Sequence, residues 1–223
     1  MRILIIRHGQ PNYELDCLTE TGRREAEMLA DRIEKMKIDG FFVSPMGRAR
    51  ETCEITVKRL GVQAEVCDWL HEFDVKSAEG EELWDICPEK WTVDKLLFDK
   101  DTYLQSAFLD AKETGARAEA VKNGIDGILA RYGYVRKGGA YTSGRNDATI
   151  ALYCHFGAGC VTIAHLLGIS PMLTLQGFSC EPTAVAMLCS DERFDGLVNF
   201  RLHSYGDISH LGKTPDGGVV AYK

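Results

Sequence analysis

With 223 residues and 45% hydrophobic content, the chain is long enough for one domain with a sizeable core and too apolar to be disordered. A net charge of −7 with no basic stripe argues against nucleic acid or an anionic membrane as partner, and leaves room for a local positive pocket that takes a small anion. The eight cysteines (17, 53, 67, 87, 154, 160, 180 and 189) are scattered, without a C-x-x-C pair or metal-ligand spacing, which points to a reduced, cytoplasmic protein rather than a disulfide framework. The first apolar run is too short for a signal peptide, and no run approaches a membrane span.

Ile3-Leu4-Ile5-Ile6 reads as a strand buried on both faces that stops at Arg7-His8-Gly9. A polar loop, Gln10 to Cys17, leads to a helix capped by Thr19 or Thr21, with Ala26, Leu29, Ala30, Ile33 and Met36 at helical spacing and its end near Lys37. Phe41-Phe42-Val43 is a second buried strand and stops at Ser44-Pro45, followed by a helix over Gly47 to Leu60. Gln63 to Val66 reads as a third strand and runs on toward Glu72. From 74 to 144 the strand–helix rhythm breaks down. This stretch holds Trp84, Trp91 and a long helix from about Lys112 to Arg131, and reads as a mainly helical cap inserted in the core. Its last part, from Tyr134, looks like a mobile connector running on to Asp147. The core resumes with the strand Thr149 to Cys154, which stops at His155, and with a helix from Phe156 closed by Gly168. Ser179 to Cys189 and Leu197 to His203 are further strands joined through a turn at Asp195-Gly196, and the tail from His210 is irregular.

If the strands are parallel, as strand–helix alternation implies, Arg7, His8, Arg48, Glu72 and His155 project from one sheet edge. Two guanidiniums can clamp a dianionic phosphoryl group by bidentate hydrogen bonds. A neutral imidazole is a competent nucleophile toward phosphorus, and a carboxylic acid can protonate the leaving oxygen and then activate water. The arginines supply the positive charge, so the scheme calls for no metal and no other cofactor.

Arg7-His8-Gly9, Leu18-Thr19-x-x-Gly22, Ser44-Pro45-x-x-Arg48-Ala49-x-x-Thr52, Glu72 and His155, taken in that order, resemble the histidine phosphatase superfamily in its phosphoglycerate mutase-like branch. The resemblance covers the chain outside the cap. It implies a three-layer α/β/α fold with a mostly parallel sheet, a single domain over 1–223, and His8 as the phosphorylated nucleophile with Glu72 and His155 as its catalytic partners. Phosphate binding would fall to Arg7 and Arg48, together with His155 and the backbone N–H of Phe156. By position alone, Asn12 and Gln10, just past the first motif, fit a phosphate contact and a solvated loop equally.

Three departures separate the chain from the mutases: the loop from Gln10 to Cys17 is short, His155-Phe156-Gly157 stands where His-Gly-Asn is usual, and the cap lacks their substrate-loop sequences. These favour a phosphomonoesterase acting on a small phosphorylated metabolite. A mutase-type phosphotransferase and a non-catalytic phosphate-binding protein are the alternatives. Asp74, Glu79, Glu81 and Glu82 crowd Glu72 and are rival acids. His71, His165, His203 and His210 read as structural, Trp84 and Trp91 as residues packing the cap, and nothing in the sequence bears on oligomeric state.

Overall fold

The computed structural model describes residues 1–194 and 196–212. The expected turn residue Asp195 and the tail beyond residue 212 lie outside them. In chain order the elements are β1 (Arg2–Arg7), β2 (Pro11–Asn12), β3 (Cys17–Leu18), α1 (Glu20–Ile33), β4 (Gly40–Val43), α2 (Gly47–Leu60), β5 (Glu65–Val66), α3 (Pro88–Trp91) and α4 (Ala111–Arg131), then β6 (Arg136–Lys137), β7 (Ala140–Thr142), β8 (Thr149–Cys154), α5 (Phe156–Leu167), α6 (Pro171–Gly177), β9 (Val185–Phe194) and β10 (Leu197–Asp207).

The sheet order is β5-β4-β8-β1-β9-β10-β7-β6. Pairing is parallel from β5 through β4 and β8 to β1, and antiparallel from β1 through β9, β10 and β7 to β6. The parallel half is the part that strand–helix alternation forecasts. β9 and β10 follow one another with almost no connecting chain, and so short a connection permits only antiparallel pairing.

Side chains alternate across each strand, and the two faces are covered separately. Leu4, Ile6, Phe41, Val43 and Tyr153 pack against Leu29 and Ile33 of α1 and Ala49 and Cys53 of α2. Ile3, Ile5, Phe42, Ile150 and Leu152 face Ile125, Ile128 and Leu129 of α4 and Ile163 of α5. All six residues of β8 are buried, as expected of a central parallel strand covered on both faces.

The structure settles the cap of α1 and moves its far end from the sequence reading. Thr19, not Thr21, caps α1, its hydroxyl accepting from Gly22 N at 3.0 Å. The helix stops at Ile33, because Lys35 N and Met36 N turn back to Arg32 and Ile33 carbonyls in tighter bonds at 3.3 and 2.9 Å. Helix α6 was not anticipated, although Ser170-Pro171 carries a cap followed by a first-turn proline.

Between Phe73 and α4 the chain forms α3 and short 3₁₀ turns at Lys95–Phe98 and Tyr103–Gln105, and its Val75, Leu83, Ile86 and Leu97 pack with Cys160 and Val161 of α5 and Met172 and Leu175 of α6. This inserted part is narrower than 74–144. Helix α4 lies against the sheet, and the stretch that reads as a connector forms the β6–β7 hairpin, which extends the sheet through β7 and β10. A half-buried cluster fastens the hairpin. Asp126 accepts from Tyr141 Oη at 2.6 Å and from Arg136 Nε at 2.7 Å. His165 Nε2 lies 3.0 Å from Asp126 Oδ1 and 2.7 Å from Arg136 Nη2, so this histidine is held within the cluster.

Burial pushes the Asp126 carboxyl upward, but hydrogen bonds from His165, Tyr141 and Arg136 outweigh it and hold the pKa near 2, below its ordinary 3.8. A carboxylate depressed in the folded state adds stability above its unfolded pKa and loses it as the pH falls through the folded value. Asp126→Asn is therefore expected to lose about 2 kcal/mol at pH 7 in urea unfolding. The difference from wild type should narrow as the pH is lowered from 4 toward 2.

Candidate active site

Register brings the strand ends together. Arg7 pairs with Cys154, and Val43 with Tyr153. The next residues, His8 and His155, therefore emerge at the same level of the sheet, with Ser44 one residue short of them. His8 N donates to Cys154 O at 3.0 Å, and Ser44 N to Tyr153 O at 2.9 Å. The two imidazoles sit with ring centroids 5.1 Å apart, both almost fully buried.

His8 Nδ1 lies 2.7 Å from Gly9 O, a carbonyl that can only accept, so this nitrogen carries the proton. Nε2 is left with its lone pair, and Arg48 Nε donates to it at 3.3 Å. Burial pulls the His8 pKa down to about 3, against the Gly9 bond and with help from the charges of Arg7 and Arg48. The ring is neutral across the physiological range.

The motif glycines and Thr52 hold this geometry. A Cβ on Gly9 would stand 2.6 Å from Gly22 O, and one on Gly22 would stand 2.2 Å from Gln10 O, so both must be glycine for the loop to pass α1. Gly9 N donates to Thr52 Oγ1 at 3.0 Å, and Thr52 Oγ1 donates to Arg48 O at 2.8 Å. The arginine and the threonine of one helix thus grip the side chain of the histidine and the backbone of the residue after it.

Arg48 is 6% exposed, and its Nη1 donates to Asp16 Oδ1 at 2.6 Å. Asp16 Oδ2 accepts from Gly47 N at 2.6 Å, serving as the cap that Met46 does not give α2. Asp16 holds φ at 47°, a left-handed conformation that aspartate tolerates better than most residues. Tyr13 stacks over the Arg48 guanidinium at 5.4 Å. Neither Asp16 nor Tyr13 figures in the sequence reading. Arg7 Nη1 donates to Cys180 O.

His155 Nε2 lies 2.7 Å from Ser44 Oγ, and that oxygen accepts from Met46 N at 3.3 Å. Where the hydroxyl donates to Nε2, the ring proton sits on Nδ1. Nδ1 is buried and has no hydrogen-bond partner among the described residues. Burial, then the neighbouring His8 and Arg48, lower the His155 pKa far below the ordinary range.

Glu72 Oε1 accepts from Phe73 N at 2.7 Å, Gly157 N at 2.9 Å and Ala158 N at 3.2 Å. Two of those donors are in the first turn of α5. Burial raises the Glu72 pKa in spite of these bonds and of Arg48 and Arg7. With Oε1 occupied as an acceptor, the proton of the neutral acid falls on Oε2.

Arg7, Arg48, Glu72 and Phe156 line one cavity of about 530 Å³. Phe156 opens α5 without disturbing it, the bulky residue being simply the first of the helix. Asn12 does not line the cavity; its amide oxygen closes a local turn by accepting from Leu15 N at 3.1 Å. Gln10 is likewise engaged in the loop, its Oε1 accepting from Thr19 Oγ1 at 2.7 Å. Of the rival acids, Glu79 and Glu81 pair with Lys90, while Asp74 and Glu82 reach the cavity wall. Trp84 lines the cavity, whereas Trp91 stacks on Phe98 at 5.5 Å.

Asp16→Ala removes a helix cap and a half-exposed ion pair, and is expected to cost about 1 kcal/mol. Urea unfolding checks this, and Asp16→Asn, which retains a capping oxygen, should recover part of the loss.

The family model of the histidine phosphatase superfamily (branch 1) matches residues 3–201. A curated relative from Hydrogenobacter thermophilus named "Putative phosphoserine phosphatase 2" is 33% identical over 92 residues, which are 37% of this chain and 45% of that protein. This chain thus matches less than half the length of that relative. The solved phosphoserine phosphatase of Entamoeba histolytica in complex with 3-phosphoglyceric acid superposes with a TM-score of 0.63 at 19% identity, covering 94% of this chain and 98% of that one. The native mycobacterial glucosyl-3-phosphoglycerate phosphatase gives 0.63 at 17% identity, covering 92% and 98%. At such identity these structures speak for the fold alone. With the family model spanning nearly the whole described core, the chain belongs to the histidine phosphatase superfamily.

Proposed function

We propose that this protein is a phosphomonoesterase that hydrolyses a small phosphorylated metabolite through a phosphohistidine on His8. The observation that carries the reading is the unprotonated Nε2 of His8, held by the Gly9 carbonyl and set in the same site as a carboxyl of raised pKa. Family membership and phosphatase-named relatives support it.

In the first step Nε2 attacks phosphorus as the ester P–O bond breaks, and Glu72 Oε2–H protonates the departing alcohol oxygen. Arg7 and Arg48 counter the charge on the equatorial oxygens, and His155 Nδ1–H donates to one of them. In the second step the Glu72 carboxylate takes a proton from water, the water oxygen attacks phosphorus, and the P–N bond breaks. Inorganic phosphate leaves and both side chains return to their starting protonation states. A neutral His155 suits this role, because a second full positive charge beside His8 would lower the electron density of the nucleophile. Asn12 has no part in the scheme; the N–H of Phe156, at the start of α5, is the backbone donor we assign to phosphate.

The eight free thiols fit a reducing cytoplasm, and we place the protein there. No helix among the described residues is long and apolar enough to cross a membrane.

His8→Ala is expected to abolish phosphate release in the presence of EDTA, with wild type unaffected by the chelator. Glu72→Gln should slow an alkyl phosphate by roughly 10²- to 10⁴-fold, and p-nitrophenyl phosphate much less, because nitrophenolate leaves without a proton. With the alkyl ester, wild-type kcat/KM should fall on the alkaline side as Glu72 loses its proton. Protonation of His8 should cause no loss until the pH approaches about 3. Equal losses for both esters in Glu72→Gln would remove Glu72 from the acid role.

A further inference from the structure

The cavity lined by Arg7, Arg48 and Glu72 has two unlike groups of residues. One is the phosphoryl cradle of those three. The other comprises Tyr13, Trp84, Phe156 and Phe178 together with the carboxylates of Asp74 and Glu82. Among the described residues that line it, Arg7 and Arg48 are the only cations. Both belong to the cradle, and Arg48 is also tied to His8 and Asp16. Two further cations lie next to lining residues without belonging to the lining: Lys76, which holds Glu82 at 3.2 Å, and Arg117, which donates to the backbone carbonyls of His71 and Glu72 at 3.1 and 2.9 Å.

Two consequences follow for the alcohol portion of a substrate. A second anionic group on it would find no further cation in the lining and would face the carboxylates of Asp74 and Glu82, whose like charge disfavours it. A flat apolar group would instead cover aromatic surface that is now open: Trp84 is 44% and Tyr13 67% exposed, unusually high for large aromatic residues lining a cavity. Aromatic faces beside carboxylates also attract cations. We propose that the site is selective for monophosphate esters whose alcohol portion is flat and apolar and bears no second anion, a positive charge on it being favoured. This rests on the phosphatase reading for turnover, but not for binding. It separates the pocket from one built for phosphoglycerate exchange, which must hold two anionic groups at once.

Three matched esters test it: phenyl phosphate, 4-carboxyphenyl phosphate and 4-(aminomethyl)phenyl phosphate, with methyl phosphate as the non-aromatic control. Dissociation constants are measured by calorimetry on His8→Ala, which cannot turn over, and kcat/KM on wild type. The expected order of affinity is aminomethyl, phenyl, then carboxyphenyl, with at least tenfold between the first and last. Asp74→Asn combined with Glu82→Gln should bring that ratio toward one. Trp84→Ala should raise the KM of phenyl phosphate severalfold and leave methyl phosphate nearly unchanged. A carboxyphenyl ester bound as tightly as the phenyl ester, or a ratio unmoved by the double substitution, would overturn the proposal. Absence of turnover with the binding order intact would sink the hydrolase reading and leave the pocket preference standing.

Discussion

The rest of the site depends on one hydrogen bond, from His8 Nδ1 to the carbonyl of the next residue at 2.7 Å. A histidine free to choose its tautomer would present a proton at Nε2 part of the time, and with it no lone pair. The carbonyl removes that choice. Gly9 can place its carbonyl there because its backbone runs against Gly22 with no room for a side chain, and because Thr52 fixes its N–H. The packing of a loop on the first helix thereby sets the chemistry of a ring at the end of the first strand.

Around that ring the protein keeps two imidazoles neutral among fixed charges. Burial is the larger cause of the low His8 and His155 pKa values, with the arginines adding to it. Asp16 prevents the guanidinium of Arg48 from being an isolated cation and aligns it by capping the same helix. Glu72 is treated in the opposite way: desolvation favours its neutral form while three N–H donors fix which oxygen is the acceptor. Nucleophile and acid are thus shifted apart by a shared low-dielectric setting, the arrangement expected of an acid–base pair.

The parts of this arrangement that could be read in the sequence are those written in contiguous residues. β1, β4 and β8 are short apolar runs that end at a polar residue, and α2 and α5 have clear ends in Gly61 and Gly168. What the runs could not convey is register, and it is the Arg7–Cys154 pairing that sets the two histidines side by side. Asp16 escaped notice because its contacts are with residues 31 and 32 positions away and rely on a left-handed turn. Asn12, whose position past the first motif fitted a phosphate contact and a solvated loop equally, closes a local turn with Leu15 N. Trp84 and Trp91 look alike in sequence, yet only the first faces the cavity. The stretch from Tyr134 that reads as a connector contains Gly138-Gly139, the tight turn of a hairpin whose strands pair Lys137 with Ala140.

The account stands on the protonation state of one ring, and nitrogen NMR of the protein labelled with ¹⁵N-histidine reads it directly. At pH 7, His8 should show a protonated Nδ1 and an unprotonated Nε2, and the pattern should persist on acidification until the pH approaches about 3. A proton on Nε2 at pH 7, or titration of His8 near the ordinary 6.5, would contradict it.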